Sequence, residues 1–122
     1  MYYKAAQEMA LANGEDFHLA ALLWRRGRLV RIGINGRESK LFQRFYSGKS
    51  QELQQRAYCA HAEMQALLVA QEGDYLEVLR WTKDGKLAHS KPCRFCKKWI
   101  KRTKVQARFI NQMGEWEKLI LE

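Results

Sequence analysis

Two cysteines at 93 and 96 and a histidine at 61 constrain this chain more than any other feature. They sit in "SKPCRFCKKWIKRTK" over 90–104 and "AYCAHAEMQALL" over 57–68, and each stretch opens a helix-like run. A C-x-x-C pair at a helix start can bring both thiolates to one ion, and an imidazole is a ligand of the same kind for Zn²⁺. If one ion takes all three, the fold must bring two helix starts together. The positive ends of two helices disfavour a bare cation. Thiolates and hydroxide are anions, however, and helix dipoles stabilise those and lower a thiol's pKa into its ligating form. The cysteine count is three, an odd number, which argues for metal or chemistry rather than a disulfide framework.

The rest of the chain supplies a frame. Residues 2–12 read as a helix with Tyr2, Ala5, Ala6, Met9 and Ala12 on one stripe, stopped by the turn residues "NGED". "FHLAALLW" at 17–24 and "RLVRIGIN" at 28–35 read as two strands about a tight turn. The first is apolar almost throughout, as a strand covered on both faces would be. "HAEMQALLVAQ" at 61–71 predicts a helix with Met64, Leu67 and Leu68 inward, and "YLEVLRW" at 75–81 a strand ended by a "KDGK" turn. The helix from Cys93 carries Cys96, Trp99, Ile100 and Thr103 on one side and Arg94, Lys97, Lys98 and Lys101 on another. "QARFIN" and "WEKLILE" complete the chain as two strands about a short turn, so that pair must be antiparallel. Strands alternating with helices predict an α/β layered domain over 1–122. Trp24, Trp81, Trp99 and Trp116 read as core, and His18 reads as a structural residue on its strand.

Glu63 follows His61 by two residues. On the first helical turn its carboxylate can face the same pocket without binding metal. Zinc lowers the pKa of a bound water from about 15.7 to about 7. A neighbouring carboxylate can take that water's proton and pass it on, so hydroxide attacks an amidine carbon and ammonia leaves.

The composite H-A-E followed by P-C-x-x-C is the signature of zinc nucleobase deaminases. On these residues, and on the order of elements along nearly its whole length, the chain resembles the cytidine deaminase-like superfamily. "GINGR" and "DGKLAHSKPC" are also similar to short deaminase-like proteins of phages and large viruses. The resemblance implies a three-layer α/β/α fold on a five-stranded mixed sheet whose last strand pair is antiparallel. It implies Zn²⁺ held by His61, Cys93 and Cys96, with Glu63 as the catalytic proton shuttle that converts cytosine to uracil. It further implies substrate contacts from Asn35 and the backbone N–H of Ala62, and Ser90 is placed to line the pocket.

Cys59 leaves a rival reading open. With His61, Cys93 and Cys96 it would close a four-ligand structural site in a non-catalytic nucleic-acid-binding module. A closed site has no use for Glu63, which favours the enzyme.

Charge bears on the substrate. The net charge is +9, and residues 85–114 alone hold nine Lys and Arg with no Asp or Glu. Residues 36–58 interleave Arg37, Lys40, Arg44, Lys49 and Arg56 with Phe42, Phe45, Tyr46 and Tyr58. Cations among aromatics suit a single strand of nucleic acid. Arg37, Arg44, Tyr46, Arg94, Lys97 and Lys98 are therefore expected to contact single-stranded DNA or RNA, with free (deoxy)cytidine or its monophosphate as the alternative substrate. No stretch approaches the roughly 20 apolar residues of a membrane span. The start lacks a signal peptide's apolar run. The expected setting is the cytoplasm, a host's if the chain is viral, and self-association is compatible with the apolar helices.

Overall fold

The computed structural model describes residues 2–36 and 61–121. Helix α1 (Tyr2–Leu11) leads into strands β1 (His18–Arg25) and β2 (Arg28–Ile34). Helix α2 (Ala62–Leu67), strand β3 (Tyr75–Trp81) and the short strand β4 (Leu87–Ala88) come next. Helix α3 (Arg94–Arg102) and strands β5 (Gln106–Ile110) and β6 (Trp116–Lys118) follow.

The strands form one mixed sheet in the order β2-β1-β3-β5-β6, with β4 paired to the end of β3. The pair β3·β5 is parallel because α3 carries the chain back across the sheet; the other pairs, the last included, are antiparallel. The β1–β2 turn places Arg26 and Gly27 at φ 53° and 78°. Two left-handed residues are what a two-residue hairpin demands, because that turn matches the strand twist.

Alternation along the strands divides the core. Ala21, Leu23, Leu76, Val78, Ala107 and Phe109 pack against Met64 and Ala66 of α2 and Phe95, Cys96 and Ile100 of α3. The opposite set, Ala20, Leu22, Leu79, Trp81 and Ile110, packs against Ala6 and Ala10 of α1. Two helices thus cover one face and α1 the other, the three-layer α/β/α arrangement expected. As predicted, β1 is central: Ala20, Ala21, Leu22 and Leu23 are all fully buried. His18 is buried and structural, its Nδ1 lying 3.0 Å from the Ala10 carbonyl oxygen and 3.1 Å from Asn13 Oδ1.

Four details differ from the sequence reading. The sheet has a sixth strand, because the tight turn that bonds Thr82 N–H to the Lys86 carbonyl (2.8 Å) lays Leu87 and Ala88 opposite Trp81 and Arg80. The inward stripe of α1 is Ala6 and Ala10, whereas Tyr2, Ala5, Met9 and Ala12 are exposed; two alanines let the helix lie close on the sheet. Helix α2 stops at Leu67, since Arg25 takes the Val69 carbonyl and Asp74 takes the Gln71 N–H, drawing the chain out of the helix. Trp116 is 36 % exposed rather than core. Its β6 is an edge strand whose three residues are all exposed, and one ring face is covered by Arg108 at 3.9 Å.

Candidate metal centre

His61 directly precedes α2 in an extended conformation, φ −81° and ψ 144°, and its carbonyl accepts the Gln65 N–H. What lets this helix start lie on the sheet is Gly33 of β2. A Cβ built at Gly33 would collide with the Ala62 carbonyl oxygen and come within 2.8 Å of Ala66 N. Real Cβ atoms do not approach backbone so closely, so any side chain at 33 must push α2 away.

Cys93 caps α3: its Sγ accepts the Cys96 N–H at 3.5 Å. The loop before it is pinned by Ser90, whose hydroxyl donates to the Val78 carbonyl (2.7 Å) and accepts the Ile110 N–H (2.8 Å). One buried side chain thereby ties the loop to β3 and β5 together, and the Ser90 N–H adds a bond to the Ile110 carbonyl.

These anchors bring the ligand atoms of His61, Cys93 and Cys96 within 4.8 Å of one another. His61 Nδ1 lies 3.3 Å from Cys96 Sγ and 3.8 Å from Cys93 Sγ. Tetrahedral Zn²⁺, with bonds of about 2.3 Å to sulfur and about 2.0 Å to nitrogen, would set nitrogen and sulfur about 3.5 Å apart. The measured separations straddle that value, so the donor set fits the ion in kind and in spacing. Among the described residues it is a three-ligand set; Cys59 lies outside them.

The electrostatics agree. The Cys93 thiol is held down to about 3, chiefly by its hydrogen bond with Cys96 and then by His61 and the Cys96 N–H, against the opposing effect of burial. Cys96, the partner in that bond and fully buried, is pushed well above the ordinary thiol value. A divalent cation, which thiolates bind and thiols do not, would displace any proton held there. Burial raises the Glu63 carboxyl above the usual carboxylate range, against the pull of its own backbone N–H and of His61.

A cavity of about 250 Å³ opens beside this cluster. Phe17, Leu19 and Asn35 wall it from the β1–β2 side, His61, Ala62 and Glu63 from the start of α2, and Lys91 and Cys93 from the loop before α3. Asn35 and Ala62, expected to contact substrate, both line the cavity. The Asn35 carboxamide also braces the wall: Oδ1 accepts the Leu19 N–H (2.8 Å) and Nδ2 donates to the Phe17 carbonyl (3.0 Å). Ser90, expected to line the pocket, is not among the lining residues; it is buried, and its hydroxyl is engaged by Val78 and Ile110. Arg94 and Lys98 are exposed on α3 and Lys97 is half-buried; Arg37, Arg44 and Tyr46 lie outside the described residues. The sequence reading passed over Lys91 and Phe17. The position of Lys91, two residues before Cys93, was the available signal.

A His-bearing helix start and a Cys-x-x-Cys helix start, meeting on one face of this layered sheet, constitute the cytidine deaminase-like fold. A similar solved structure is the dCMP deaminase of the cyanophage S-TIM5, in complex with dCMP and dUMP. It has 21 % sequence identity and a TM-score of 0.60, over 91 % of this chain and 79 % of that one. No family model and no curated protein matches the sequence. The likeness is one of fold.

Proposed function

We propose that the chain is a zinc-dependent hydrolytic deaminase that converts cytosine in a nucleotide to uracil, consuming water and releasing ammonia. The observation that carries this reading is the buried Glu63 carboxylate sharing a 250 Å³ cavity with His61 and Cys93. A carboxylate that binds no metal is superfluous in a structural clip and necessary in a hydrolytic site.

His61, Cys93 and Cys96 would hold Zn²⁺, which when bound supplies a water of lowered pKa. Glu63 takes the proton of the attacking water and delivers it to the base and its departing amine. A carboxyl raised toward neutrality both accepts and returns a proton readily. Ala62 N–H, one of the donors a helix start leaves without an intrahelical partner, would hold the base carbonyl. Asn35 has a second amide hydrogen for the sugar or base. Phe17 and Leu19 supply an apolar wall.

A free nucleotide suits a cavity of this volume, and the similar phage enzyme was solved with dCMP and dUMP. A second reading, deamination within single-stranded DNA or RNA, is favoured by the exposed cations Arg94, Lys98 and Lys101 on α3. The test is a mass-shift and ammonia assay over cytidine, deoxycytidine, their monophosphates, and single-stranded DNA and RNA. A one-mass-unit gain on a monophosphate with ammonia release is expected. Release from strands alone would transfer the conclusion to the second reading, and release from none of them would overturn the enzyme.

A further inference from the structure

We infer that Lys91, aided by Arg80 on the Phe17 ring, forms a phosphate-reading rim that makes the cavity select phosphorylated over unphosphorylated cytidines. This rests on the deaminase reading above and names the residues that would recognise the nucleotide's phosphate.

Among the described residues that line the cavity, Lys91 is the one with a fixed positive charge. It is exposed and lines the cavity from the short loop that Ser90 anchors at one end and Cys93 at the other. Its ammonium is therefore tethered within two residues of a ligand, yet its head stays in water. Arg80 is the second cation. It sits on β3 opposite Leu19, and its Cζ lies 4.9 Å from the centroid of the Phe17 ring. Phe17 is itself 56 % exposed while lining the cavity. An exposed aromatic at a cavity mouth, with a guanidinium on it, presents a flat surface and a charge together. Neither Arg80 nor Lys91 has an ion-pair partner among the described residues.

The charge balance gives these cations a purpose. The interior offers the Glu63 carboxylate and the Cys93 thiol, and among the described lining residues there is no further acidic side chain. A neutral nucleoside gains nothing from two unpaired cations at the entrance. A phosphate monoester placed outward of the base gains a charge-assisted bond from each. The same chemistry arises from a free monophosphate or from a phosphodiester within a strand.

The experiment compares kcat/KM for dCMP, deoxycytidine and a single-stranded oligonucleotide carrying one cytosine. It uses the zinc-loaded wild type, Lys91→Ala, Lys91→Glu and Arg80→Ala. Binding of dCMP and deoxycytidine is measured calorimetrically on the same proteins. The wild type is expected to favour dCMP over deoxycytidine by about 10- to 100-fold, the scale of one or two bonds to a charged group. Lys91→Ala should cut that preference about tenfold, mainly through KM, and Lys91→Glu should abolish it. Zinc content and Tm identify any variant that has lost its fold, and Lys91→Gln then serves in its place. A larger loss on the oligonucleotide than on dCMP would assign the phosphate to a strand. A dCMP-to-deoxycytidine ratio unmoved by every Lys91 variant, with no loss on the oligonucleotide, would overturn the inference. If no substrate turns over, the deaminase reading falls by itself. Lys91-dependent binding of dCMP would still uphold the rim, and its absence would remove it.

Discussion

In the proposed reaction Glu63 concentrates the proton chemistry in one side chain. It is 3 % exposed, and burial raises its carboxyl above the ordinary range. Such a group costs stability, because burial disfavours the charged form, and a functional role would account for its presence. Glu63→Gln keeps the shape and removes the proton exchange. It is expected to retain a full equivalent of zinc and to lose about 10²- to 10⁴-fold in ammonia release, the usual contribution of a positioned acid–base group. Zinc content beside steady-state rate reads both at once. Cys59→Ala completes the comparison: an open three-ligand site keeps its zinc, whereas loss of the metal would establish Cys59 as a fourth ligand and the site as a clip.

At the scale of elements, the site is positioned by close contacts that hydrophobic patterning hardly signals. Gly33 is the clearest case. Glycine in a strand often marks a close backbone approach, and here the approaching backbone is the start of α2. Gly33→Ala must displace α2, at a cost of about 1–3 kcal/mol for overpacking. A fall in Tm together with weaker zinc affinity is expected; a lower Tm with unchanged affinity would show that α2 moves without carrying His61. Asp74 performs the equivalent task at the other end of α2. It accepts two bonds from Arg25 and the Gln71 N–H, and Arg25 above all holds its carboxyl below the ordinary value. A depressed carboxylate contributes stability that is present above its unfolded pKa, near 3.9, and is lost as pH falls through the folded value. Tm should therefore drop below about pH 4 in the wild type, and Asp74→Asn should start lower with a shallower acid limb. The cysteine half of the candidate ligand cluster was legible from sequence because its spacing is local: C-x-x-C at a helix start needs no knowledge of the fold. The strands were legible from their alternation. The stripe of α1, the early end of α2 and the exposure of Trp116 were not, since each is decided by what the rest of the chain presses against it.

Across the whole molecule, the sheet separates chemistry from a second polar cluster on its other side. Glu77 of β3 is 4 % exposed and was read from the sequence merely as part of a strand. Its Oε1 accepts from Tyr3 Oη and Trp24 Nε1, both at 2.8 Å, and its Oε2 from Arg108 Nε at 2.8 Å and from a second Arg108 nitrogen. One carboxylate thereby joins α1, β1, β3 and β5. Arg108 in turn lies over the Trp116 ring and so holds β6. Next to this cluster a cavity of about 760 Å³, lined in part by Tyr3, Trp81 and Trp116, leaves α1 with a small apolar contact on the sheet. The polar cluster is a further means of fixing the helix there, beside the bond from Gln7 Nε2 to the Gly85 carbonyl (2.9 Å). Removing one member of a buried ion pair typically costs 3–5 kcal/mol, and with Arg108 one-third exposed the lower end applies, about 3 kcal/mol for Glu77→Gln. The cost should fall on stability alone. The metal ligands and Glu63 belong to the opposite face, so zinc content and the rate per folded molecule should match the wild type at temperatures where the variant stays folded. Urea unfolding paired with an activity assay below the transition tests this. A variant that loses zinc or rate while still folded would mean that the two faces communicate through β3, which borders Glu77 on one side and packs Leu76 and Val78 beneath α2 and α3 on the other.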